Sequence, residues 1–354
     1  MWRVPINDSY KVYRFTDRFI LDVLTWACIN RQKHNKEDVL ESLADNSLKK
    51  LVEKYEDKLI PHLIILSNCV EINKVKRTFK KFRKKYSAII NGDIKKLPTL
   101  KEETINSIKP VFRYFYNDLL NNKGFWQIYN QKGIYISKQE YRDKLGQKNK
   151  ICPYCDRSDI VVKELNNIDH FLPISKFPYL SVFWPNLVIA CSSCNGLLIK
   201  DNKYNLPVLH PYYHNIQDEL NFSYDKENKI IEIKAKTGEN YEKGLNYIKT
   251  LKLETTYRNL WEQIESEKYN IELKIALSYH QQKLEIKEKD LKNLIINAVN
   301  EKQNELLKRA RKVPYIKLKT DYCNFYLHDQ IEDQEGFYKK ELKDISNIKE
   351  RILN

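Results

Sequence analysis

The chain has 354 residues and a formal net charge of +15, with 62 lysines and arginines against 47 aspartates and glutamates. This length is enough to bury two or more hydrophobic cores, and so basic a chain indicates a polyanionic partner such as nucleic acid. No segment approaches the ~20 consecutive apolar residues of a membrane-spanning helix, and residues 1–10 contain no apolar leader segment. We therefore predict a soluble, cytoplasmic protein without a membrane partner.

Residues 14–90 show the spacing of amphipathic helices. Four apolar side chains recur every four residues and share one helical face: Phe15, Phe19, Val23 and Ala27. Asn35, with Asp38 three residues later, is typical of the start of a second helix, because an asparagine side chain can accept from free N–H groups of the first turn. The pattern predicts a helical N-terminal region.

The most basic segment is residues 74–85, where eight of twelve residues are lysine or arginine. Phe79, Phe82 and Tyr86 are interleaved with these charges, so one helical face could pack on the protein while the rest faces phosphate. A merely solvated basic surface gives the same pattern, because lysine runs are common on soluble proteins. The nucleic-acid interpretation assigns binding to six side chains: Lys76, Arg77, Lys80, Lys81, Arg83 and Lys84.

Two Cys-x-x-Cys pairs stand in the middle of the chain: Cys152 with Cys155, and Cys191 with Cys194. A two-residue spacer lets one tight turn aim two sulfurs at one ion, and two such turns complete a tetrahedral zinc site. Disulfide or redox use is the alternative, but seven cysteines are an odd number, and a chain without a secretory leader favours metal. The three remaining cysteines are predicted to be small core residues: Cys28, Cys69 and Cys323.

Polar residues suited to hydrolysis stand between and beside the cysteine pairs. Asp169 and His170 are adjacent, Asn186 follows, and Asn195 comes directly after the second pair. Carboxylate and amide oxygens are ligands of hard divalent cations, and a neutral histidine can take a proton from water near pH 7. In isolation an Asp-His dipeptide is more often a turn cap with a surface histidine, and Asn195 could be a helix N-cap.

The residues around this motif predict a small strand-strand-helix unit. Residues 161–165 are rich in β-branched side chains, and residues 186–190 form a second short apolar run, so the two can pair as a hairpin. The residues after Asn195 lack proline and could form the closing helix. Asp169 and His170 would then lie at the end of the first strand, with Asn195 at the start of the helix.

His210 and His214, four residues apart, could share a helix face and bind metal. Pro211 lies between them and favours a turn instead. A packing or substrate-contact role is therefore the preferred interpretation of this pair.

The C-terminal part changes character. Residues 220–236 alternate polar and apolar side chains, which predicts a second hairpin. Residues 245–313 contain no glycine or proline, which predicts two or three long helices with apolar faces packed together. The apolar positions at helical intervals are Leu260, Ile264, Ile271, Ile275, Leu284, Leu291 and Ala298.

The ordered set of motifs resembles the HNH endonucleases, also called ββα-metal nucleases, in the subgroup tied by four cysteines. The pattern of that subgroup is Cys-x-x-Cys, Asp-His-x-x-Pro, an Asn and Cys-x-x-Cys-Asn, and every element is present in order. The resemblance implies structural Zn²⁺ on the four cysteines and catalytic Mg²⁺ or Mn²⁺ on Asp169 and Asn195. It implies that His170 is the general base and that Asn186 orients the loop beside the imidazole.

Lys200 departs from the family pattern. In the family a lysine often stands closer to the Cys-Asn pair, at a position that Leu198 takes here. A contact between Lys200 and phosphate is therefore expected only from its basic character.

The sequence thus predicts a mainly helical protein with a small α+β insert. Its predicted parts are a helical region over 1–145, a zinc-bound HNH core over 146–215, and a hairpin with long helices over 216–354. The predicted activity is metal-dependent hydrolysis of phosphodiester bonds, with DNA the preferred substrate by resemblance. One catalytic unit cuts one strand, so a duplex would require a homo-oligomer, a second encounter or repositioning.

The helical flanks carry no motif of their own. Stand-alone HNH proteins with such flanks resemble nuclease effectors of bacterial anti-phage systems of the Septu type, some of which work with an ATPase subunit. Two alternatives remain open at this point. One is a non-catalytic zinc-ribbon module that binds nucleic acid, and the other is a nuclease subunit that is active only with an ATPase partner.

Overall fold

The computed structural model describes residues 1–4, 14–93, 99–129, 140, 149–161, 166–196, 199–200, 202–282, 288–332 and 343. Over these residues the chain is mainly helical, with two small two-stranded sheets. The predicted fold class is confirmed. No helix in the described part of the chain is both long enough and apolar enough to cross a membrane.

The N-terminal part is a set of packed helices. They are α1 (Arg14–Ile29), α2 (Lys36–Glu41), α3 (Ser47–Lys54), α4 (Glu56–Ser67), α5 (Ile72–Ile90), α6 (Glu102–Asn117) and α7 (Lys123–Tyr129). Phe19, Val23 and Ala27 are buried and Phe15 is partly buried, which confirms the predicted face of α1. Asn35 Oδ1 accepts from the backbone N–H of Asp38 at 2.8 Å, so the predicted cap of α2 is also confirmed.

Helix α5 carries the basic segment. Phe79, Phe82 and Tyr86 are buried on its inner face, as the interleaved aromatic residues predict. The backbone leaves helical geometry at Lys85, with φ −133° and ψ 30°, immediately before Tyr86. This kink divides a long basic part of the helix from a short final part.

A small sheet lies at the centre of the chain. Strand β1 (Asn166–His170) pairs antiparallel with β2 (Leu187–Cys191), with Asp169 opposite Val188. The second predicted strand, residues 186–190, is present with a shift of one residue, and Asp169 and His170 end β1 as predicted. The partner of β2 is Asn166–His170, whereas the prediction placed the first strand at residues 161–165. Asn186 precedes β2 in a short 3₁₀ turn, Trp184–Asn186.

Strand β2 is buried along its whole length. Its partner includes the polar residues Asn166 and Asn167. Strand propensity depends strongly on such context. Residues 162–165, most of the predicted first strand, lie outside the described residues.

The helix predicted after Asn195 does not form in the described residues. Residues 195, 199, 200 and 202 lie in turns, and residues 203–205 are irregular. Backbone bonds such as Ile199 N to Gly196 O, 3.1 Å, and Lys203 N to Lys200 O, 2.9 Å, close successive turns here. Residues 197, 198 and 201 lie outside the described residues. The second cysteine pair is thus followed by turns, and the side chain of Lys200 is directed inward.

The C-terminal part contains the second sheet and the long helices. Helix α8 (Ile216–Glu219) leads into an antiparallel hairpin of β3 (Leu220–Asp225) and β4 (Ile230–Ala235), which confirms the predicted hairpin. The helices that follow are α9 (Tyr241–Thr250), α10 (Leu253–Tyr257), α11 (Trp261–Gln282), α12 (Glu288–Lys308) and α13 (Ile316–Glu332).

The long helices α11, α12 and α13 contact one another. Four predicted apolar positions are buried in this part: Ile264, Ile271, Ile275 and Ala298. Leu260 is only partly buried, and the side chains of Leu284 and Leu291 lie outside the described residues. Cys69 and Cys323 are buried as predicted, whereas Cys28 is partly exposed near the end of α1.

Candidate active site

Four cysteine sulfurs meet beside the end of β2. The Sγ atoms of Cys152, Cys155, Cys191 and Cys194 all lie within 4.8 Å of one another, and those of Cys155 and Cys191 are 3.9 Å apart. Four sulfurs about 2.3 Å from a tetrahedral zinc ion lie about 3.8 Å from each other. Among the described residues, no other three or more His, Cys, Asp or Glu side chains lie close enough together to hold one metal ion. The dimensions of this cluster suit a structural metal.

Backbone N–H groups support the sulfurs. Cys191 N donates to Cys152 Sγ and Cys194 N donates to Cys191 Sγ, each at 3.4 Å. Hydrogen bonds from Cys152, Cys155 and Cys194 lower the pKa of the Cys191 thiol. Burial raises the pKa of Cys152, and the neighbouring cysteines raise that of Cys194. The thiolate is the form that binds metal, so these hydrogen bonds favour that form at Cys191.

The C-terminal helices hold the first cysteine turn, residues 152–156. Tyr247, on α9, donates to the backbone carbonyl of Tyr154 at 3.1 Å, and Tyr257, on α10, donates to that of Cys155. The backbone N–H of Lys317, on α13, donates to the buried carboxylate of Asp156 at 2.7 Å. The cysteine cluster therefore depends on residues about 90 to 160 positions away in sequence as well as on its own spacing.

Asp169 is a buried carboxylate, 4% exposed. Its Oδ2 accepts from the Tyr154 hydroxyl at 2.7 Å and from the Lys200 ammonium group in a close ion pair. None of the described residues donates a hydrogen bond to the other oxygen, Oδ1. A carboxylate that is fixed through one oxygen and open on the other can bind a cation with the second.

Lys200 requires a correction to the predicted phosphate contact. Lys200 is 2% exposed, and Nζ donates to Asp169 and to the backbone carbonyl of His170, the latter at 2.7 Å. Burial lowers the pKa of Lys200, and the carboxylate of Asp169 opposes that shift. The sequence gives no signal for this pairing, because it depends on the turns that follow Asn195.

His170 is partly buried at the end of β1. Its Nε2 lies 2.9 Å from the backbone carbonyl of Ser181, and the ring of Tyr116 stands edge-on with centroids 4.5 Å apart. A carbonyl oxygen only accepts hydrogen bonds, so Nε2 carries the proton in this contact. In the neutral imidazole the basic lone pair then belongs to Nδ1.

Asn186 joins the two ends of the loop formed by residues 171–186. Its Oδ1 accepts from the backbone N–H of Leu172 at 2.7 Å and from the Tyr86 hydroxyl at 2.8 Å, and its Nδ2 donates to Leu172 O at 3.0 Å. These are the contacts expected of a residue that orients the loop after His170. Tyr86 was predicted only as a packing residue of α5, because helical spacing does not report the partner of a hydroxyl.

The N-terminal helices anchor the same loop. Ser181 Oγ donates to Phe112 O of α6 at 2.9 Å, and Thr16 of α1 donates to Val182 O at 2.7 Å. Ser181 also supplies the carbonyl that receives His170 Nε2. The position of the imidazole is thus set by α1, α5 and α6 as well as by the central sheet.

Asn195 lies in the turn after the second cysteine pair. It is partly buried, and its backbone N–H donates to Cys191 O at 3.1 Å. Among the hydrogen bonds of the described residues, none joins its side chain to Asp169 or His170. The structure therefore links Asp169, His170 and Asn186 through shared contacts and places Asn195 beside the cysteine cluster.

His210 and His214 lie in the predicted turn. His214 Nδ1 accepts from the backbone N–H of His210 at 2.8 Å, and His214 Nε2 is 2.7 Å from Asn91 Oδ1. The buried ring of His210 packs on Phe171, with centroids 4.1 Å apart. Burial lowers the pKa of His214 to about 4, which keeps it neutral near pH 7. These contacts agree with the packing alternative of the two roles that the sequence left open.

The basic side chains of α5 differ in their exposure. Arg77, Lys80 and Lys84 are exposed, and Lys76 and Lys81 are partly buried. Arg83 is exposed and lies 3.5 Å from the carboxylate of Asp17. The inner face of α5 packs on the 171–186 loop, with ring centroids 5.7 Å apart for Phe82 and Phe177 and 5.3 Å apart for Tyr86 and Phe183.

A family model and two known proteins match parts of this chain. A family model for HNH endonucleases matches residues 152–198. The chain is 42% identical over 55 residues to Protein ea31 of Escherichia phage lambda and 35% identical over 68 residues to Septu protein PtuB of Bacillus thuringiensis. The matches cover 16% and 19% of this chain, but only 17% and 26% of the two relatives.

No solved structure matches the chain. The family match begins at Cys152 and includes the four clustered cysteines, Asp169, His170 and both asparagines. Residues 152–198 therefore form an HNH endonuclease domain within a mainly helical chain.

Proposed function

We propose that this protein is a divalent-metal-dependent endonuclease that hydrolyses phosphodiester bonds in DNA. The observation that carries the proposal is the arrangement of His170. Its Nε2 is bound to Ser181 O at 2.9 Å, so Nδ1 is its basic atom, and it follows the buried carboxylate of Asp169 in a domain tied by four cysteines.

In the proposed reaction, His170 Nδ1 takes a proton from a water molecule as that water attacks phosphorus. The bond from phosphorus to the 3′ oxygen breaks and that oxygen takes a proton from solvent, which leaves a 5′ phosphate and a 3′ hydroxyl. Asp169 Oδ1 and the Asn195 amide oxygen would hold Mg²⁺ or Mn²⁺, which counters the phosphate charge and stabilises the departing oxygen. Asn186 and Ser181 keep the imidazole in place through the 171–186 loop.

Zn²⁺ is the structural metal that we propose for the four cysteines. The sulfur separations suit a tetrahedral site, and thiols that remain reduced fit a cytoplasmic protein. The zinc site would hold the ends of the domain together, while the C-terminal tyrosines fix the first cysteine turn.

A defence role is the biological setting that we propose. It rests on the likeness to Septu protein PtuB, which covers 26% of that protein. A second candidate, implied by the resemblance of the sequence to Septu-type effectors, is a nuclease subunit that cuts only in the presence of an ATPase partner. Against a non-catalytic zinc-ribbon module stand the buried contacts of Asp169 and the fixed imidazole of His170, which a simple binding surface does not need.

Cleavage assays on supercoiled plasmid and on RNA test the proposed activity. We expect plasmid nicking with Mg²⁺ or Mn²⁺, no nicking without added divalent ion, and loss of nicking in Asp169→Asn, because the substitution removes a charged oxygen ligand. RNA cleavage without plasmid cleavage would contradict the choice of DNA. Activity in metal-free buffer would contradict the catalytic cation. Activity that appears only with a co-expressed ATPase would favour the second candidate.

The exposed face of α5 is the proposed nucleic-acid surface. Arg77, Lys80 and Lys84 follow one another at three- and four-residue intervals and so share one side of the helix. The opposite side of α5 packs on the 171–186 loop. A nucleic-acid backbone bound to the exposed side is therefore close to the loop that holds His170. DNA is bound through such phosphate contacts without regard to sequence.

Removing these three charges should change the salt dependence of binding. For Arg77→Ala/Lys80→Ala/Lys84→Ala we expect weaker duplex binding, and a slope of log K against log salt that is smaller by about 2 to 3, because each lost phosphate contact removes about 0.9. Fluorescence anisotropy over a salt series measures both quantities.

Three exposed lysines outside α5 provide the matched control: Lys50, Lys58 and Lys249. Their combined replacement by alanine lowers the net charge by the same amount and should leave the slope nearly unchanged. Equal slopes for the two triple variants would show that binding follows net charge and does not involve this face of α5.

A further inference from the structure

We infer that Lys200 cancels the charge of Asp169 and thereby makes cation binding at Asp169 depend on bound nucleic acid. The inference rests on the proposed function, since it concerns the carboxylate assigned to the catalytic cation. It assigns Lys200 a positioning and electrostatic role that its place in the motif does not indicate.

The contacts of Lys200 carry the first step. Its ammonium group is buried, pairs with Asp169 Oδ2 and donates to the carbonyl of His170 at 2.7 Å. It lies 5.6 Å from the ring centroid of Phe171 and 6.0 Å from that of Tyr154. The ammonium group thus contacts two oxygens and lies beside two aromatic rings inside the site.

The charges of the site give the second step. Asp169 contributes one negative charge and Lys200 one positive charge, while Asn195 is neutral and neutral His170 is required for base catalysis. The residues assigned to the catalytic cation and its immediate surroundings therefore sum to zero. A dication at Asp169 Oδ1 gains attraction from the carboxylate but also meets repulsion from the ammonium group on Oδ2.

The third step concerns the substrate. A phosphodiester brings the negative charge that Lys200 has cancelled, so the cation and nucleic acid should each strengthen binding of the other. In the resting protein the buried carboxylate remains paired, which avoids the large cost of an uncompensated buried charge. The divalent cation would then bind at Asp169 mainly when nucleic acid is present.

Mn²⁺ binding to the full chain tests the inference without relying on cleavage. Titrations followed by electron paramagnetic resonance would use His170→Ala protein, so that an oligonucleotide duplex stays intact, at pH 8, where carboxyl groups are ionised. We expect Lys200→Met to bind Mn²⁺ about tenfold or more tightly than the parent when no duplex is present. The duplex should raise the Mn²⁺ affinity of the parent much more than that of Lys200→Met.

Lys203→Met is the matched control, because Lys203 is an exposed lysine three residues away. It should bind Mn²⁺ like the parent. Four thiolates around Zn²⁺ would carry a net charge of about −2, but this charge is the same in all variants and does not affect the comparison. Lys200→Gln, which keeps a polar group, replaces Lys200→Met if the thermal melt shows that the methionine variant is unfolded.

Mn²⁺ binding to Asp169→Asn distinguishes an error in the proposed cation site from an error in the role inferred for Lys200. If Asp169→Asn leaves Mn²⁺ binding unchanged, the proposed cation site is wrong, and the inference is wrong with it. If Mn²⁺ binding requires Asp169 but Lys200→Met and Lys200→Gln bind no more tightly than the parent, Lys200 is only a structural partner of Asp169. That result would overturn the inference and leave the proposed nuclease intact.

Discussion

His170→Ala should lower the rate of plasmid cleavage by about 10²- to 10⁴-fold, the usual contribution of a general base, while the protein remains folded. The imidazole is only partly buried, and its contacts include a hydrogen bond to Ser181 O at 2.9 Å and ring packing on Tyr116. Loss of one such hydrogen bond costs about 1 kcal/mol. The rate of nicking and a thermal melt measure the two effects separately.

The matched control is His34→Ala, which removes an exposed histidine in the segment before α2. Its cleavage rate and its melting temperature should both equal those of the parent. Added imidazole should restore part of the activity of His170→Ala, since it supplies the base that the substitution removes. A His170→Ala protein that cuts at the parent rate would show that another group activates the water.

Cys152→Ser, unlike His170→Ala, should lose bound zinc and the folded central domain. Apparent binding free energies of structural zinc in small domains are about 10 to 16 kcal/mol at pH 7, which is comparable to the whole stability of a typical protein. A serine hydroxyl is a poor replacement for a thiolate, and here it would be fully buried, since Cys152 is 0% exposed. Zinc content per chain and the thermal melt are the measurements.

Cys69→Ser is the control for this substitution. Cys69 is also buried but lies outside the sulfur cluster, so its variant should keep a full complement of zinc and lose only modest stability. We expect the melting temperature of Cys152→Ser to fall well below that of His170→Ala. Equal melting temperatures, or one zinc per chain in Cys152→Ser, would contradict a structural role for the tetrathiolate site.

Local patterns in the sequence were sufficient for much of the fold. The apolar period of α1, the Asn35 cap and the hairpin of β3 and β4 can be read from residues close together in sequence, and these predictions are confirmed. The spacing of the four cysteines likewise predicted that their sulfurs would meet. Each of these features follows from a fixed helical, strand or turn period.

Predictions that needed a distant partner were less successful. The partner of β2 is Asn166–His170 and not the predicted segment 161–165, most of which lies outside the described residues. The helix after Asn195 is absent from the described residues, where successive turns direct Lys200 inward. Strand pairing and the direction of a turn depend on tertiary packing as well as on local propensity.

The sequence by itself determined which chemical groups this protein has: four thiols that can meet, a carboxylate next to an imidazole, two asparagines and a basic helix. Only the tertiary structure decided how those groups are oriented and neutralised. Asp169 and Lys200 are 31 residues apart, and Tyr86 and Asn186 are 100 apart. Such contacts form only when distant segments pack together, because hydrogen bonds and ion pairs act only over a few ångströms. A local period in the sequence therefore does not predict them.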